Sequence, residues 1–280
     1  MNKLLLLVVF VVLTVFGYSY QKKETDLTKD NLKGKVKYYS QSSHKAEYRY
    51  GKIEKVSAKY SFRNYKYNDK GNRIVMNQYR SDGTLRFMFT YKYDNKVNKI
   101  ECNRYNSDGI LDYKWVYKYD VRGNKIEENR YFSEGSLDYI STYKYDDNGN
   151  QIEEINYNSD GSLDDKWDFK YDEKGSKIEE NNYNPDGSLD DKWSYKYDDK
   201  GNKIEEVNYN SDDSLVNNST YKYDDKGNKV EWNRFNSNGI LSSKFTFKYD
   251  FDDAGNWIKR IYFSNEIVSD IDEREYEYFK

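Results

Sequence analysis

The sequence contains very few of the residues that usually provide covalent cross-links or reactive groups. It has one cysteine (Cys102), one histidine (His44) and one proline (Pro185) among its 280 residues. A single cysteine excludes an internal disulfide. Neither His44 nor Cys102 has a visible catalytic partner, so we interpret His44 as a surface residue and Cys102 as incidental.

An excess of charge of one sign is also missing. The 46 basic and 49 acidic residues leave a formal net charge of -3, so we expect no nucleic acid as a partner. Hydrophobic residues make up only 36% of the chain, which alone is typical of disorder. However, 18% of the residues are aromatic and 32 are tyrosines. Disordered chains are poor in aromatic residues, so we predict a folded protein.

The sequence has only one long apolar run, from Leu4 to Phe16, and it follows Lys3. This run is too short to span a bilayer comfortably but is typical of a secretory signal. We therefore predict a signal peptide at residues 1–19, cleaved near Ser19, and no membrane span after cleavage. The protein would then be secreted, periplasmic or displayed at the cell surface. An uncleaved N-terminal anchor is the alternative.

A strict period dominates the rest of the sequence. An aromatic residue that opens a Tyr-Lys-Tyr-like motif returns every 26 residues, at Tyr65, Tyr91, Tyr117, Tyr143, Phe169, Tyr195, Tyr221 and Phe247. A constant spacing indicates a repeat array. We predict a linker at 20–34, N-terminal cap strands at 35–64, eight repeats at 65–260 and a C-terminal cap strand at 261–280.

Each repeat carries two turn signals separated by strand-like segments. Asp198–Gly201 and Asn184–Gly187 both begin with Asn or Asp and end with glycine, which suits a type I turn followed by a left-handed residue. The segments between the turns are rich in Tyr, Trp, Ile and Thr. The predicted fold is all-β: a repetitive antiparallel β-hairpin meander of about 16 or more strands, forming a long twisted or partly coiled sheet.

Pairing outward from these turns predicts which side chains share a face. Tyr197 would lie opposite Lys203, Tyr195 opposite Glu205, and Trp193 opposite Val207. Alternation along the strands then predicts one apolar face and one charged face. The apolar face would contain Leu189, Trp193, Tyr195, Tyr197, Tyr209 and Leu215; the charged face would contain Asp190, Lys192, Lys196, Ile204, Glu206 and, in another repeat, Cys102. The same pairing predicts that each repeat slides two residues along its neighbour.

The repeat motif resembles a known family. Tyr-Lys-Tyr-Asp, two further residues, Gly-Asn and Lys-Ile occur at Tyr117–Ile126 and Tyr195–Ile204, and this pattern is similar to the YD repeat of Rhs-type proteins over roughly residues 65–258. The stretch YNSDGSL also resembles MORN-like hairpins. The YD-repeat resemblance implies long β-sheets that can spiral into shells, a secreted or cell-surface location, and carbohydrate binding or toxin packaging.

The aromatic rows are the candidate ligand contacts, because sugar rings stack on Trp and Tyr side chains. These residues are Trp115, Trp167, Trp193, Tyr119, Tyr145, Tyr171, Tyr197 and Tyr223. The alternative is that the rings only hold the sheet together. An aromatic surface of this size has to be covered by curling of the sheet or by a partner.

Two groups of polar residues resemble functional sites, one for calcium binding and one for glycoside hydrolysis, but turn and strand structure also explains them. Asn182, Asn184, Asp186 and Gly187 match the start of a calcium loop, but Trp193 stands where a bidentate glutamate is required. Asp164-Asp165 and Asp190-Asp191 are paired carboxylates, but neighbouring strand residues point to opposite faces, unlike the facing carboxyls of glycosidases. We expect no enzyme and no cofactor, and the calcium alternative stays open.

Two functional hypotheses follow. The first is an exported, non-catalytic protein of the cell envelope that binds glycans or a cell-surface protein through its aromatic face. The second is a structural spacer or self-associating scaffold without a small ligand.

Overall fold

A computed structural model describes residues 24–58 and 62–280 of the chain. The predicted signal peptide therefore lies outside the described residues. Apart from one short helix, the described chain is built of β-strands joined by tight turns, which confirms the predicted antiparallel hairpin meander. The elements are α1 (Asp26–Lys29), β1 (Val36–Arg49), β2 (Lys52–Ala58), β3 (Arg63–Tyr67), β4 (Arg73–Tyr79), β5 (Leu85–Tyr93), β6 (Lys99–Tyr105), β7 (Leu111–Tyr119), β8 (Lys125–Phe132), β9 (Leu137–Tyr145), β10 (Gln151–Asn158), β11 (Leu163–Tyr171), β12 (Lys177–Tyr183), β13 (Leu189–Tyr197), β14 (Lys203–Asn210), β15 (Leu215–Tyr223), β16 (Lys229–Asn236), β17 (Leu241–Phe251), β18 (Trp257–Ser264) and β19 (Ile267–Tyr278).

The turns have the predicted chemistry. Asp198 N–H donates to the Asn202 carbonyl at 2.9 Å, and Gly201 N–H donates to the Asp198 carbonyl at 3.0 Å. Gly201 has a φ of +83°, a left-handed conformation that costs an L-residue with a Cβ atom but not glycine. The Asp198 carboxylate accepts from the Lys200 and Asn202 N–H groups and so fixes the same turn.

Val97 provides a test of this turn geometry, because it replaces the glycine of one repeat and still adopts a φ of +66°. The left-handed conformation costs an L-residue about 1–2 kcal/mol, and replacing Val97 by glycine would remove this cost. Glycine also has greater conformational entropy in the unfolded chain, which offsets part of the stabilisation. We expect Val97→Gly to raise the free energy of unfolding by about 0.5–1 kcal/mol in urea denaturation.

The matched control for Val97→Gly is Gly201→Val. No heavy atom lies within 4 Å of a Cβ atom built at Gly201, so only backbone strain opposes the substitution. It is expected to destabilise the protein. Equal stability of wild type and both variants would contradict the account of these turns.

The strand register differs from the prediction by a bulge after each turn. In β13 and β14, Tyr197 pairs with Lys203 as expected, but Lys196 pairs with Glu205, so Ile204 is an extra residue. A bulge of this kind reverses the inside–outside alternation beyond it. Tyr195 therefore lies opposite Glu206 rather than Glu205.

A second bulge follows the other turn of each repeat. Tyr209 pairs with Leu215 as predicted, whereas Asn208 pairs with Asn217, so Val216 is extra. The predicted slide of two residues per repeat is confirmed, because Tyr195 pairs with Glu206 and Glu206 pairs with Ser219, 24 residues further on.

These bulges correct the predicted faces. The surface that we call the aromatic face carries Trp193, Tyr195, Tyr197, Lys203 and Glu206 and their equivalents in the other repeats. The surface that we call the ion-pair face carries Lys192, Lys196, Glu205, Tyr209 and Leu215 and their equivalents. The prediction that Leu189, Tyr209 and Leu215 share a face with Trp193 was wrong, as was the placement of Glu206 and Cys102 on the charged face.

The sheet is closed and not open. On one side β1 pairs with β19 along Val36 to Lys45; on its other side Tyr38–Gln41 pair with β3, and His44–Arg49 pair with β2. Strand β1 and strands β3–β19 thus form a ring of 18 strands. The predicted meander is confirmed, but it closes into a barrel instead of forming a long twisted or partly coiled sheet, because the two aperiodic ends of the array pair with each other.

We call the turns equivalent to Asp198–Gly201 the Asp-type turns. The segment before β1 packs against the aromatic face at the end of the ring where these turns lie. Leu27 N–H donates to the Gly71 carbonyl at 3.1 Å, and Tyr67 donates its hydroxyl to Asp30 at 2.5 Å. Leu32 and Val36 complete an apolar cluster with Tyr39, Tyr65 and Tyr67. This cluster secures the seam where β1 meets β3 and β19.

Candidate functional site

The aromatic face lines the concave, inner side of the ring. The Trp167 and Trp193 rings lie 5.6 Å apart although their strands are separated by β12; strands two places apart are about 9–10 Å apart. Side chains converge in this way on the inside of a curved sheet. Two surface cavities, of about 530 and 440 Å³, are both lined mainly by this face, and rings of 16–18 strands leave an aqueous channel.

Two adjacent glutamates show the difference between the faces. Burial raises the pKa of Glu154, which points inward. The pKa of Glu153, which points outward, is lowered: burial opposes ionisation, but hydrogen bonds from Lys144 and Lys166 outweigh it. The two carboxylates therefore differ in their partners: two lysines stabilise the ionised form of Glu153, whereas burial dominates at Glu154.

Lysines, glutamates and aromatic rings alternate along the inner wall. Lys203 pairs with Glu206, and its ammonium lies 5.0 Å and 5.5 Å from the ring centres of Tyr195 and Tyr221. The same arrangement recurs at Lys125–Glu128 and Lys177–Glu180. Cation–π attraction of about 0.5–2 kcal/mol per contact explains why rings and lysines share this wall.

The second tyrosine of each motif has a structural hydrogen bond. Tyr197 donates its hydroxyl to the Lys177 carbonyl at 2.8 Å, next to the bulge at Ile178. The same bond, always to the carbonyl 20 residues earlier, is made by Tyr93, Tyr119, Tyr145, Tyr171, Tyr223 and Tyr249. The candidate ligand-contact tyrosines thus tie each hairpin to the preceding one through their hydroxyls, and only their ring faces remain for a ligand.

The three candidate tryptophans all lie on the inner wall. Trp115 donates its indole N–H to the Tyr139 hydroxyl at 3.2 Å, and Trp167 and Trp193 stack with their planes 22° apart. Trp167 lines the larger cavity, together with Gln151, Glu154, Phe169, Tyr171, Lys177 and Glu180. This cavity brings an indole ring together with carboxylate, ammonium and amide groups.

The second cavity adjoins the first at Glu154, which lines both. Its other lining residues are Glu128, Arg130, Asp138, Tyr139, Ser141, Tyr143, Asn156, Asn158 and Asp164. The two cavities form one groove across β8–β12 on the inner wall. This groove could not be predicted from the sequence, because the bulges move Glu154 and Glu180 to the aromatic face.

The outer, ion-pair face is charged. Glu231 accepts from both Lys222 and Lys244 at 2.8 Å and 3.3 Å, and these bonds, with one from Asn233, lower its pKa to about 2. Similar bridges join Glu101 to Lys92 and Lys114. A lysine at mid-strand on a lipid-facing barrel surface costs roughly 2–4 kcal/mol, so this face suits an aqueous environment.

The remaining candidate residues do not assemble a reactive centre. Cys102 is buried on the inner wall, and burial raises the pKa of its thiol to about 11, so it is protonated at neutral pH. His44 contacts Ser42. Asp164 is an extra residue at a bulge, whereas Asp165 accepts from the Asn156 side chain at 2.6 Å.

The residues that match the start of a calcium loop form hydrogen bonds within their own turn. The Asp186 carboxylate accepts from the backbone N–H and the hydroxyl of Ser188 at 2.9 Å and 2.6 Å. Across residues 24–58 and 62–280, no three His, Cys, Asp or Glu side chains are grouped so that they could hold a metal ion. Within the same ranges, no helix is long and apolar enough to cross a membrane.

No protein-family model matches the chain, and no curated protein matches it. Among solved structures, it is similar to a porin-like protein from Bacteroides uniformis ATCC 8492, with a TM-score of 0.45, 10% identity, and coverage of 86% of this chain and 98% of that one. A porin-like protein from Bacteroides vulgatus ATCC 8482 gives a TM-score of 0.39 and 12% identity, with 87% and 98% coverage. The Photorhabdus luminescens Tc holotoxin pore gives 0.36 and 14%, with 75% of this chain and 11% of that chain covered. At these TM-scores the similarities carry no argument about function.

The resemblance to YD-repeat proteins with MORN-like hairpins is therefore corrected. It implied an open or spiralling sheet, whereas β1 joins β3 to β19 and closes the strands into a barrel. The family assignment was wrong, although the repeat that suggested it is real.

Proposed function

We propose that this protein is a non-catalytic, carbohydrate-binding barrel of the cell envelope, and that its ligand lies in the groove on the inner wall. The observation that carries this proposal is the stacked Trp167–Trp193 pair beside a cavity of about 530 Å³. Aromatic rings offer large, rigid contact surfaces, and a few convergent polar groups fix a ligand's orientation. Glu154, Lys177 and Glu180 provide such groups here.

An aqueous compartment of the envelope, or the cell surface, suits this barrel best. The apolar run at the start of the chain favours export. The lysine–glutamate bridges of the outer face favour contact with water. A cell-surface protein carrying exposed sugars would be one natural partner.

The scaffold hypothesis is the less favoured alternative. Edge-to-edge assembly of repeat sheets needs unpaired strand edges, and ring closure pairs both ends of the repeat array. Sedimentation velocity over a wide concentration range distinguishes the two hypotheses: a discrete species that does not grow with concentration argues against a self-assembling scaffold.

The binding proposal is tested by applying the chain from residue 20 onward to a glycan array and measuring positive glycans by calorimetry. Trp193→Ala is expected to weaken binding at least about tenfold, since covering a large apolar side chain contributes roughly 1.5–3 kcal/mol. Tyr209→Ala is the matched control, because this ring lies on the outer face, and it is expected to leave affinity unchanged. An empty array, or equal effects of both substitutions, would contradict the proposal.

A further inference from the structure

One repeat on the inner wall carries a glutamate without the lysine that pairs with it elsewhere. Four of the strands that follow Asp-type turns have a glutamate as their fourth residue. In three of them the lysine that opens the strand pairs with it: Lys125–Glu128, Lys177–Glu180 and Lys203–Glu206. In β10 the lysine is replaced by Gln151, while the glutamate remains as Glu154. Compared with the three Lys–Glu pairs, this repeat therefore has the negative charge but lacks the positive one.

Gln151 does not replace the lost ammonium group. Its side-chain amide donates to Glu154 at 3.1 Å, and this donor is neutral. The neighbouring cations are engaged elsewhere: Lys125 contacts Glu128 at 2.6 Å and the Tyr143 hydroxyl at 3.0 Å, and Lys177 pairs with Glu180. A half-buried carboxylate without a bound cation is unfavourable. The raised pKa of Glu154, which burial causes, agrees with this.

The surroundings of Glu154 would suit a cation from outside the chain. In the three Lys–Glu pairs the lysine ammonium lies between two aromatic rings, as Lys203 lies between Tyr195 and Tyr221. The corresponding rings beside Gln151 are Tyr143 and Phe169, on the two strands that flank β10. Both cavities of the inner groove meet at Glu154. The carboxylate, the aromatic rings and the open space are thus found together at one repeat.

We propose that Glu154, with the rings of Tyr143 and Phe169, binds the ammonium group of an amino sugar, and that the ligand's ammonium takes the place of the missing lysine. The Trp167–Trp193 pair lies next to this position and would stack on the sugar ring. This inference rests on the proposed carbohydrate-binding function and specifies its ligand class.

The test uses three probes at low ionic strength, where charge pairing is least screened. They are a tetramer of glucosamine, the corresponding tetramer of N-acetylglucosamine, which lacks the charge, and n-butylamine, which has the charge but no sugar. We expect calorimetry on the wild-type chain to show the glucosamine tetramer binding at least about tenfold more tightly than the acetylated one, since a charge-assisted hydrogen bond contributes roughly 1.5–3 kcal/mol.

The decisive variant is Gln151→Lys, which installs the residue found in the neighbouring repeats and is therefore compatible with the fold. It is expected to remove the preference for the charged tetramer and to raise the thermal midpoint of the unliganded protein. Glu154→Gln is expected to remove the same preference. Glu153→Gln is the matched control, because this carboxylate lies next in sequence but on the outer face, and it is expected to bind as the wild type does.

The outcomes separate the two proposals. If both tetramers bind equally and Gln151→Lys changes nothing, the ammonium site is wrong while carbohydrate binding stands. If only n-butylamine binds, and Gln151→Lys abolishes that binding, the ammonium site stands, its assignment to an amino sugar is wrong, and the glycan array decides the proposed function. If no probe binds, the amino-sugar inference is wrong, and the glycan array alone decides the proposed function.

Discussion

Replacing Tyr39 by alanine is expected to lower the free energy of unfolding by about 3–5 kcal/mol, the usual cost of deleting a large buried aromatic side chain. Tyr39 is only 4% exposed. Its ring stacks on Tyr65 of β3 at 4.4 Å and lies 5.5 Å from Tyr276 of β19. The Arg274 guanidinium is 5.0 Å from the same ring. One side chain therefore joins both partners of the strand that closes the ring.

Urea denaturation followed by tryptophan fluorescence would measure the effect. Tyr38→Ala is the control, because Tyr38 belongs to the same strand and points to the opposite face. It is expected to cost much less. If the two substitutions destabilised the protein equally, the seam on the aromatic face would not be the element that holds the ring closed.

Removing single hydroxyl groups from the inner wall is expected to give the second large effect. Tyr197→Phe deletes only the donor that bonds to the Lys177 carbonyl and keeps the ring. Leaving a partly buried carbonyl without this partner costs about 1–3 kcal/mol. Because Tyr145 on β9 and Tyr197 on β13 lie four strands apart, the combined variant Tyr145→Phe, Tyr197→Phe is expected to lose about the sum of the single effects.

The control for these variants is Tyr209→Phe, whose ring lies on the ion-pair face. Thermal and urea unfolding of the wild type, Tyr145→Phe, Tyr197→Phe, the combined variant and Tyr209→Phe would compare the losses. A loss at Tyr197 no greater than the loss at Tyr209 would show that the recurrent hydroxyl–carbonyl bond does not stabilise the array.

The repeat made much of the fold predictable from the sequence. The spacing and the turn residues determined the strands, the first pair beyond each turn and the slide between repeats, because these depend on local chemistry. The bulges were not predicted, since Ile204 is as compatible with a regular strand as with an extra residue. A signal was nevertheless present: only a bulge brings Lys203 and Glu206, three residues apart, onto the same face.

Ring closure and the inner groove could not be predicted from the sequence, for a different reason. Closure depends on small twists summed over many strands, and on pairing between two aperiodic segments without a shared motif. The candidate tryptophans and tyrosines were identified correctly as rows on one face, but whether they bind a ligand stays a prediction. Glu154 was overlooked, because its significance comes from the lysine that its own repeat lacks.

The seam between β1 and β19 also constrains how the molecule is made. Gln41 and Arg274, which bond across it, are 233 positions apart, so the N-terminal strand has to wait for nearly the entire polypeptide to emerge before it meets this neighbour. Contacts this distant form slowly, and unpaired strand edges invite association with other chains in the meantime. A chain truncated just before β19 would leave one edge of β1 unpaired, so it is expected to aggregate rather than to form a smaller barrel.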